Sequence, residues 1–194
     1  MEANAARRAD PFPPAARKLP TALDRRHLRR GRGIGAGGGT IRRIAIPDFK
    51  KYLDNIRAGI KGLNPFMDFI GIEPLEIKEG FARFRLPVRP EYLQGAGKLQ
   101  GGLMVALADE AIAHAMVTTL DDREGLTTIE LKSNFLAAVS SGAVTATATV
   151  FKKGQSLIIG DCLLTDDRGR NVCRVSATFL LLQDCPLYTS DAAD

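Results

Sequence analysis

Apolar residues recur along this chain with two periods, and the changes from one to the other give the order of elements. In IPDFKKYLDNIRAG, Phe49, Tyr52, Leu53 and Ile56 fall at helical spacing, with Pro47 as the start and Gly59 as the stop. NPFMDFIG (64–71) reads as a short helical turn onto a strand. IEPLEIKEG and FARFRLPV then form two strands joined by a Glu79-Gly80 turn. The loop RPEYLQGAGKLQ leads into an apolar helix from Gly101 to Thr119. Four strands follow, over 126–136, 143–151, 156–165 and 171–182. The breaks Ser141-Gly142, Lys153-Gly154 and Asp166-Asp167-Arg168-Gly169 predict hairpin turns. In the first of these strands, alternation puts Ile129, Leu131 and Phe135 on one side and Thr128, Glu130, Lys132 and Asn134 on the other.

The order β-β-α-β-β-β-β predicts an α+β fold in which an antiparallel sheet of about six strands wraps one long central helix. Burial on most sides explains why that helix is so rich in Leu, Met, Val and Ala. The domain is expected over 44–183. Residues 1–43 are rich in Ala, Arg, Pro and Gly and lack periodicity, which reads as a disordered leader or as upstream sequence translated from a misplaced start. Their GxGxxG match (Gly33, Gly35, Gly38) follows an arginine tract where a nucleotide site needs a strand, and is set aside. CPLYTSDAAD (185–194) resembles a translated sequencing-library adapter with Pro186 as the departure, and 184–194 is read as an artefact tail.

The net charge of +5 is unevenly held: eleven Lys/Arg against three Asp/Glu in 1–43 give +8 there and leave −3 for the rest. That basic arm has only Phe12 for stacking, so no nucleic-acid partner is expected. No run approaches the length of a membrane span, and no membrane partner is expected. Cys162, Cys173 and Cys185 lack metal or CxxC spacing, which points to reduced thiols and a cytoplasmic location. No metal or cofactor is expected.

Candidate chemistry concentrates in LQGGLMVALADEA (99–111). Gly101 and Gly102 open the helix, where backbone N–H groups lack intrahelical partners and the helix dipole is positive. They either receive an oxyanion or simply permit tight packing against the sheet. Asp109 stands among Leu107, Ala108, Ala111 and Ile112, where burial would raise its pKa toward that of a useful base. The plain alternative is an acid reaching solvent or a lysine. Glu110 points about 100° away from it, as a surface or interface acid or a fallback catalyst. His114 lies off Asp109's side of the helix and reads as structural or interfacial, and His27 lies in the leader.

The loop, double glycine, helical acid and four strands (62–182) resemble hotdog-fold acyl-CoA thioesterases, specifically the phenylacetic-acid-degradation (PaaI-like) group of the 4HBT superfamily. The resemblance implies an acyl-CoA substrate and a homodimer or dimer of dimers (a homotetramer) with active sites shared between subunits. It matches the family's His-Gly-Gly to Gln100-Gly101-Gly102, with Gln100 as the departure, and its catalytic acid to Asp109. It places Thr128 of the partner subunit by the attacking water and Gln94 on the substrate. Lys152, Lys153, Gly154 and Gln155 resemble a basic hairpin that meets coenzyme A phosphates, or else form an ordinary solvated turn; Arg83 and Arg85 are weaker candidates.

The expected reaction is hydrolysis of an acyl-CoA to free acid and CoA. The Gly102 N–H and the Gln100 amide would polarise the carbonyl, and Asp109 would activate water or attack to form an anhydride. The rivals are a hotdog acyl-thioester hydratase or dehydratase, which needs a histidine beside an acid, and a non-catalytic acyl-CoA-binding module.

Overall fold

A computed structural model describes residues 48–183. The leader with its glycine match and His27, the helix start at Pro47, and the tail with Cys185 lie outside the described residues.

Two short helices precede the sheet. Helix α1 (Phe49–Arg57) is capped by Asp48, which accepts from the Lys51 N–H at 2.9 Å, and it buries Leu53 and Ile56. Helix α2 (Pro65–Ile70) is capped by Asn64, whose Oδ1 accepts from the Met67 N–H at 3.1 Å, and has Pro65 in its first turn. It buries Met67 and Ile70.

Six strands then form one antiparallel sheet: β1 (Glu73–Lys78), β2 (Phe81–Pro87), β3 (Glu124–Phe135), β4 (Ala143–Lys153), β5 (Leu157–Asp166) and β6 (Asn171–Gln183). Their spatial order is β1-β2-β4-β5-β6-β3. The chain thus leaves the sheet after β2, makes the long helix α3 (Gly101–Val117) and β3, and returns to pair β4 with β2. Hairpins join β1 to β2, β4 to β5 and β5 to β6.

The segment through Ser141-Gly142 is a crossover and not the expected hairpin, because β3 pairs with β6 and β4 with β2 and β5. Its end is fixed where Gly142 O accepts from the Val88 N–H at 2.8 Å, just beyond β2.

Helix α3 packs against all six strands. Met104, Leu107, Ala108, Ala111, Ile112, Ala115 and Met116 are buried around it, so its apolar composition follows from enclosure. Phe84, Leu86, Leu164 and Phe179 close the core around the helix, each worth about 1.5–3 kcal/mol of burial. Helix and sheet approach tightly at Gly160 of β5, where a Cβ would lie 2.9 Å from both Ile112 Cγ2 and Met116 Cε. Any side chain there would push helix and sheet apart.

The alternation expected along β3 is broken. Thr128 pairs with Phe179 and Glu130 with Thr178, which leaves Ile129 as a bulge, 54% exposed. The extra residue reverses the parity on either side of it. Thr128 therefore shares the α3-facing side with Leu131 and Phe135, instead of facing away from them with Glu130 and Lys132.

Candidate active site

Asp109 sits midway along α3, and Thr128 Oγ1 donates to its Oδ1 at 3.2 Å. Two lengths explain the meeting. From Val117 back to Asp109 the helix covers about 12 Å, and from Glu124 to Thr128 the returning strand covers about 13 Å. The bulge at Ile129 fixes which face Thr128 presents. Burial raises the Asp109 carboxyl above its ordinary value, and the Thr128 hydrogen bond offsets part of that rise. The resemblance placed the partner's Thr128 beside Asp109, whereas here the contact forms within one protomer.

The start of α3 is held by the preceding loop. Leu93 and Leu99 bridge across it, Leu99 N–H donates to Val139 O at 2.7 Å, and Gln100 N–H donates to Tyr92 O at 2.9 Å. Gln100 is the N-cap, its Oε1 accepting from the Gly101 N–H at 3.0 Å. Its NH2 group is left to donate elsewhere.

The two glycines separate the two readings of the pair. A Cβ on Gly101 would come within 3.0 Å of the Phe135 ring, so Gly101 permits packing. Gly102 is exposed with open space beside it, and its N–H finds no acceptor among the described residues. It is the amide an incoming oxygen can reach. Seven residues of helix put it about 10 Å from Asp109 along the axis, so one chain presents the amide and the acid as two separated half-sites.

Gln94 is exposed, and its Oε1 accepts from the Ala96 N–H, which ties it to its own turn. Lys153 Nζ donates to Thr119 O at 2.8 Å and to the Glu124 carboxylate. Lys152, Gly154 and Gln155 are exposed in a hairpin closed by Gly154 N–H to Leu157 O at 2.8 Å. This hairpin meets the C-terminal end of α3, about 25 Å of helix from Gly102. Arg83 and Arg85 pair with Glu76 and Glu73.

Glu110 is not a surface acid. Its side chain is 20% exposed, Asn64 Nδ2 donates to its Oε2 at 3.0 Å, and burial pushes its pKa up to about 7. One turn on, His114 is buried. Its Nδ1 donates to Glu110 O at 2.7 Å, so its Nε2 accepts from the Tyr52 hydroxyl at 2.9 Å. The Phe84 ring packs edge-on at 4.8 Å, and burial lowers the imidazole pKa to about 4. His114 is thus a neutral structural histidine. The sequence did not point to Tyr52 as the partner of His114 or to Asn64 as the partner of Glu110.

Residues 96–173 match the family model described as "Thioesterase superfamily". The chain is 32% identical over 104 residues to the 1,4-dihydroxy-2-naphthoyl-CoA hydrolase of Listeria monocytogenes, spanning 54% of this chain and 85% of that protein. Among solved structures it resembles a Haemophilus influenzae thioesterase at 25% identity and TM-score 0.62, covering 68% of this chain and 90% of the other. A thioesterase family protein from Silicibacter pomeroyi shares the fold, with 23% identity, TM-score 0.61, and coverage of 68% and 98%. The sheet wrapped round α3 is therefore a hotdog fold, and the chain belongs to the thioesterase superfamily as a thioester hydrolase.

Proposed function

We propose that this protein hydrolyses acyl-CoA thioesters, using Asp109 as the base and the Gly102 N–H as the oxyanion donor. One observation carries the reading. Asp109 is a half-buried acid whose side chain, among the described residues, is held by one neutral donor, the Thr128 hydroxyl, so its second oxygen is available to water.

In the proposed reaction the thioester carbonyl oxygen takes hydrogen bonds from the Gly102 N–H and the Gln100 NH2 at the positive end of α3. Asp109 removes a proton from water as the water oxygen bonds to the carbonyl carbon. The tetrahedral intermediate collapses with loss of the CoA thiolate, and the proton on Asp109 neutralises that thiolate. Gln100 fits this scheme because only donation is asked of it, with no proton transfer. His114 is buried away from Gly102 and committed at both ring nitrogens, which disfavours a histidine-dependent hydration.

The half-sites are separated within a chain, and β3 is an edge strand with Thr127, Thr128, Ile129 and Glu130 all exposed. Both features support a dimer in which Gly102 of one protomer works with Asp109 and Thr128 of the other. In such a site the Lys152–Gln155 hairpin and Gln94 are the candidate contacts for the CoA portion. The Listeria relative is named for an aromatic acyl-CoA, so aromatic acyl-CoAs lead the substrate panel.

The test is CoA release across aromatic and aliphatic acyl-CoAs. Asp109→Asn is expected to lower kcat by about 10²-fold or more with the fold retained. Unchanged turnover in a folded variant would remove Asp109 from the mechanism.

A further inference from the structure

The segment that follows β3 runs back alongside the residues leading into α3, and the two are joined at three levels. The Phe135 ring lies against Gly101, where a Cβ would come within 3.0 Å of it. Leu99 N–H donates to Val139 O at 2.7 Å, and Lys98 Nζ donates to Ser140 Oγ at 3.0 Å. The segment is fixed from behind by the Leu136 and Ala137 N–H groups, which both donate to Val172 O. Gly102, Phe135, Leu136, Ser140 and Lys98 are all exposed. One open strip therefore leads from the Gly102 amide across two apolar side chains to a lysine.

Lys98 ends that strip with an unanswered charge. Its backbone is pinned on both sides, since Lys98 O accepts from the Gln94 N–H at 2.8 Å and Leu99 holds Val139. Among the described residues its ammonium has the neutral Ser140 hydroxyl as partner and no carboxylate. Arg170 reaches the same segment, with Nη2 donating to Ala138 O at 3.4 Å, but Asp166 answers its charge at 2.8 Å. An ammonium has three donors and Ser140 takes one, while the Ser140 O–H is itself left to donate. An ammonium and a hydroxyl held side by side suit the oxygens of a phosphate. Lys153 of the β4–β5 hairpin differs on both counts. Its Nζ is spent on Thr119 O and the Glu124 carboxylate, and the hairpin stands about 25 Å of helix from Gly102 of its own chain.

We propose that Lys98 and Ser140 hold a phosphate of the CoA carrier, with the pantetheine arm lying over Phe135 and Leu136 and the thioester carbonyl at Gly102 of the same protomer. The inference rests on the reading of the Gly102 N–H as the oxyanion donor. The lengths agree. From the thioester sulfur to the first phosphorus the arm matches four residues of extended chain, about 14 Å. Lys98 and Gly102 are four residues apart, so about the same length bounds the separation of their backbones, and the lysine side chain adds its own reach. The chemistry agrees as well. The arm is uncharged where the strip is apolar, and its first negative charge arrives where the strip has its cation.

The test compares one acyl group carried on CoA, on phosphopantetheine and on pantetheine, which has no phosphate. Lys98→Met is expected to raise KM about 3–5-fold on the two phosphorylated carriers, with kcat kept and the pantetheine thioester unaffected. Leu136→Ala is expected to raise KM on all three, because each has the arm; no change on any of them overturns the path of the arm. A KM that Lys98→Met leaves unchanged, or raises equally on all three carriers, overturns the phosphate contact. A rise from Lys152→Met in its place also overturns it and moves the phosphates to the hairpin. Calorimetric binding of free CoA reads the contact without turnover and is expected to weaken by the same factor in Lys98→Met; unaltered binding overturns the site. Native protein that binds CoA in this Lys98-dependent way but releases none from acyl-CoA would remove the proposed hydrolysis and keep the site.

Discussion

At the scale of single residues, the acid in the helix is explained by what surrounds it. Leu107, Ala108, Ala111 and Ile112 are fully buried, and Asp109 is set at the margin of that core with one hydroxyl for company. Thr128→Val keeps the shape and removes the donor. It is expected to raise the Asp109 pKa further and shift the acid limb of kcat/KM to higher pH, checked by the rate profile.

Glu110 and His114 have opposite effects on stability. The Glu110 pKa is raised from 4.5 to about 7, so the native state holds more protons than the unfolded chain between those values and loses stability as pH rises through them. The His114 pKa is lowered from 6.5 to about 4, so the unfolded chain holds more protons between 4 and 6.5 and the native state gains stability as pH rises. Over pH 4.5–6.5 the two slopes, each up to about 1.4 kcal/mol per pH unit, oppose one another. Denaturant unfolding of Glu110→Gln is expected to show a stability that rises more steeply with pH across that window than that of the native protein. The sequence showed Asp109, the glycines and Gln100 as a group. It did not show Tyr52 beside His114 or Asn64 beside Glu110, because residues 62 and 46 positions apart meet only through the packing of α1 and α2 on α3.

At the scale of elements, long periodic segments were legible and local irregularities were not. The helix from Gly101 and the strands from Glu73 to Gln183 follow the hydrophobic periods to within about two residues. The bulge at Ile129 was not legible, because one extra β-branched residue in LTTIELKSNFL looks like ordinary alternation. Nor was the crossover at Ser141-Gly142, since Ser-Gly after a strand is equally good turn chemistry whether or not the flanking strands pair. Deleting Ile129 would restore strict pairing on β3. It is expected to displace Thr128 or the register beyond it and to reduce CoA release more than Thr128→Val does. Gly160 makes the complementary case for packing. Gly160→Val would force its side chain against Ile112 and Met116 and is expected to destabilise by about 1–3 kcal/mol or more, measured by chemical denaturation.

At the scale of the whole molecule, the separation of amide and acid along α3 makes the proposed enzyme a property of two chains. If Gly102 of one protomer serves Asp109 of another, a Gly102→Pro and an Asp109→Asn variant, each inactive alone, regain activity when mixed subunits are allowed to form. The expected recovery is a substantial fraction of native turnover, since half of the sites in a mixed dimer keep both partners intact. No recovery in mixed dimers would place both groups in one chain's site. The sequence conveyed the architecture at this scale through the order of its elements, whereas the spatial order of the strands depended on which edges found partners.

That spatial order also has a consequence for how the enzyme comes into being. β4, β5 and β6 are consecutive neighbours joined by tight turns, so their pairing closes only short loops. Pairing β2 with β4 and β3 with β6 must span α3 in one case and the whole meander in the other. Pulse-labelled hydrogen exchange during refolding is expected to protect the β4–β6 amides first and those of β3 afterwards. The contact between Thr128 and Asp109 would then be among the last to form, and a chain leaving the ribosome would acquire its scaffold before its chemistry.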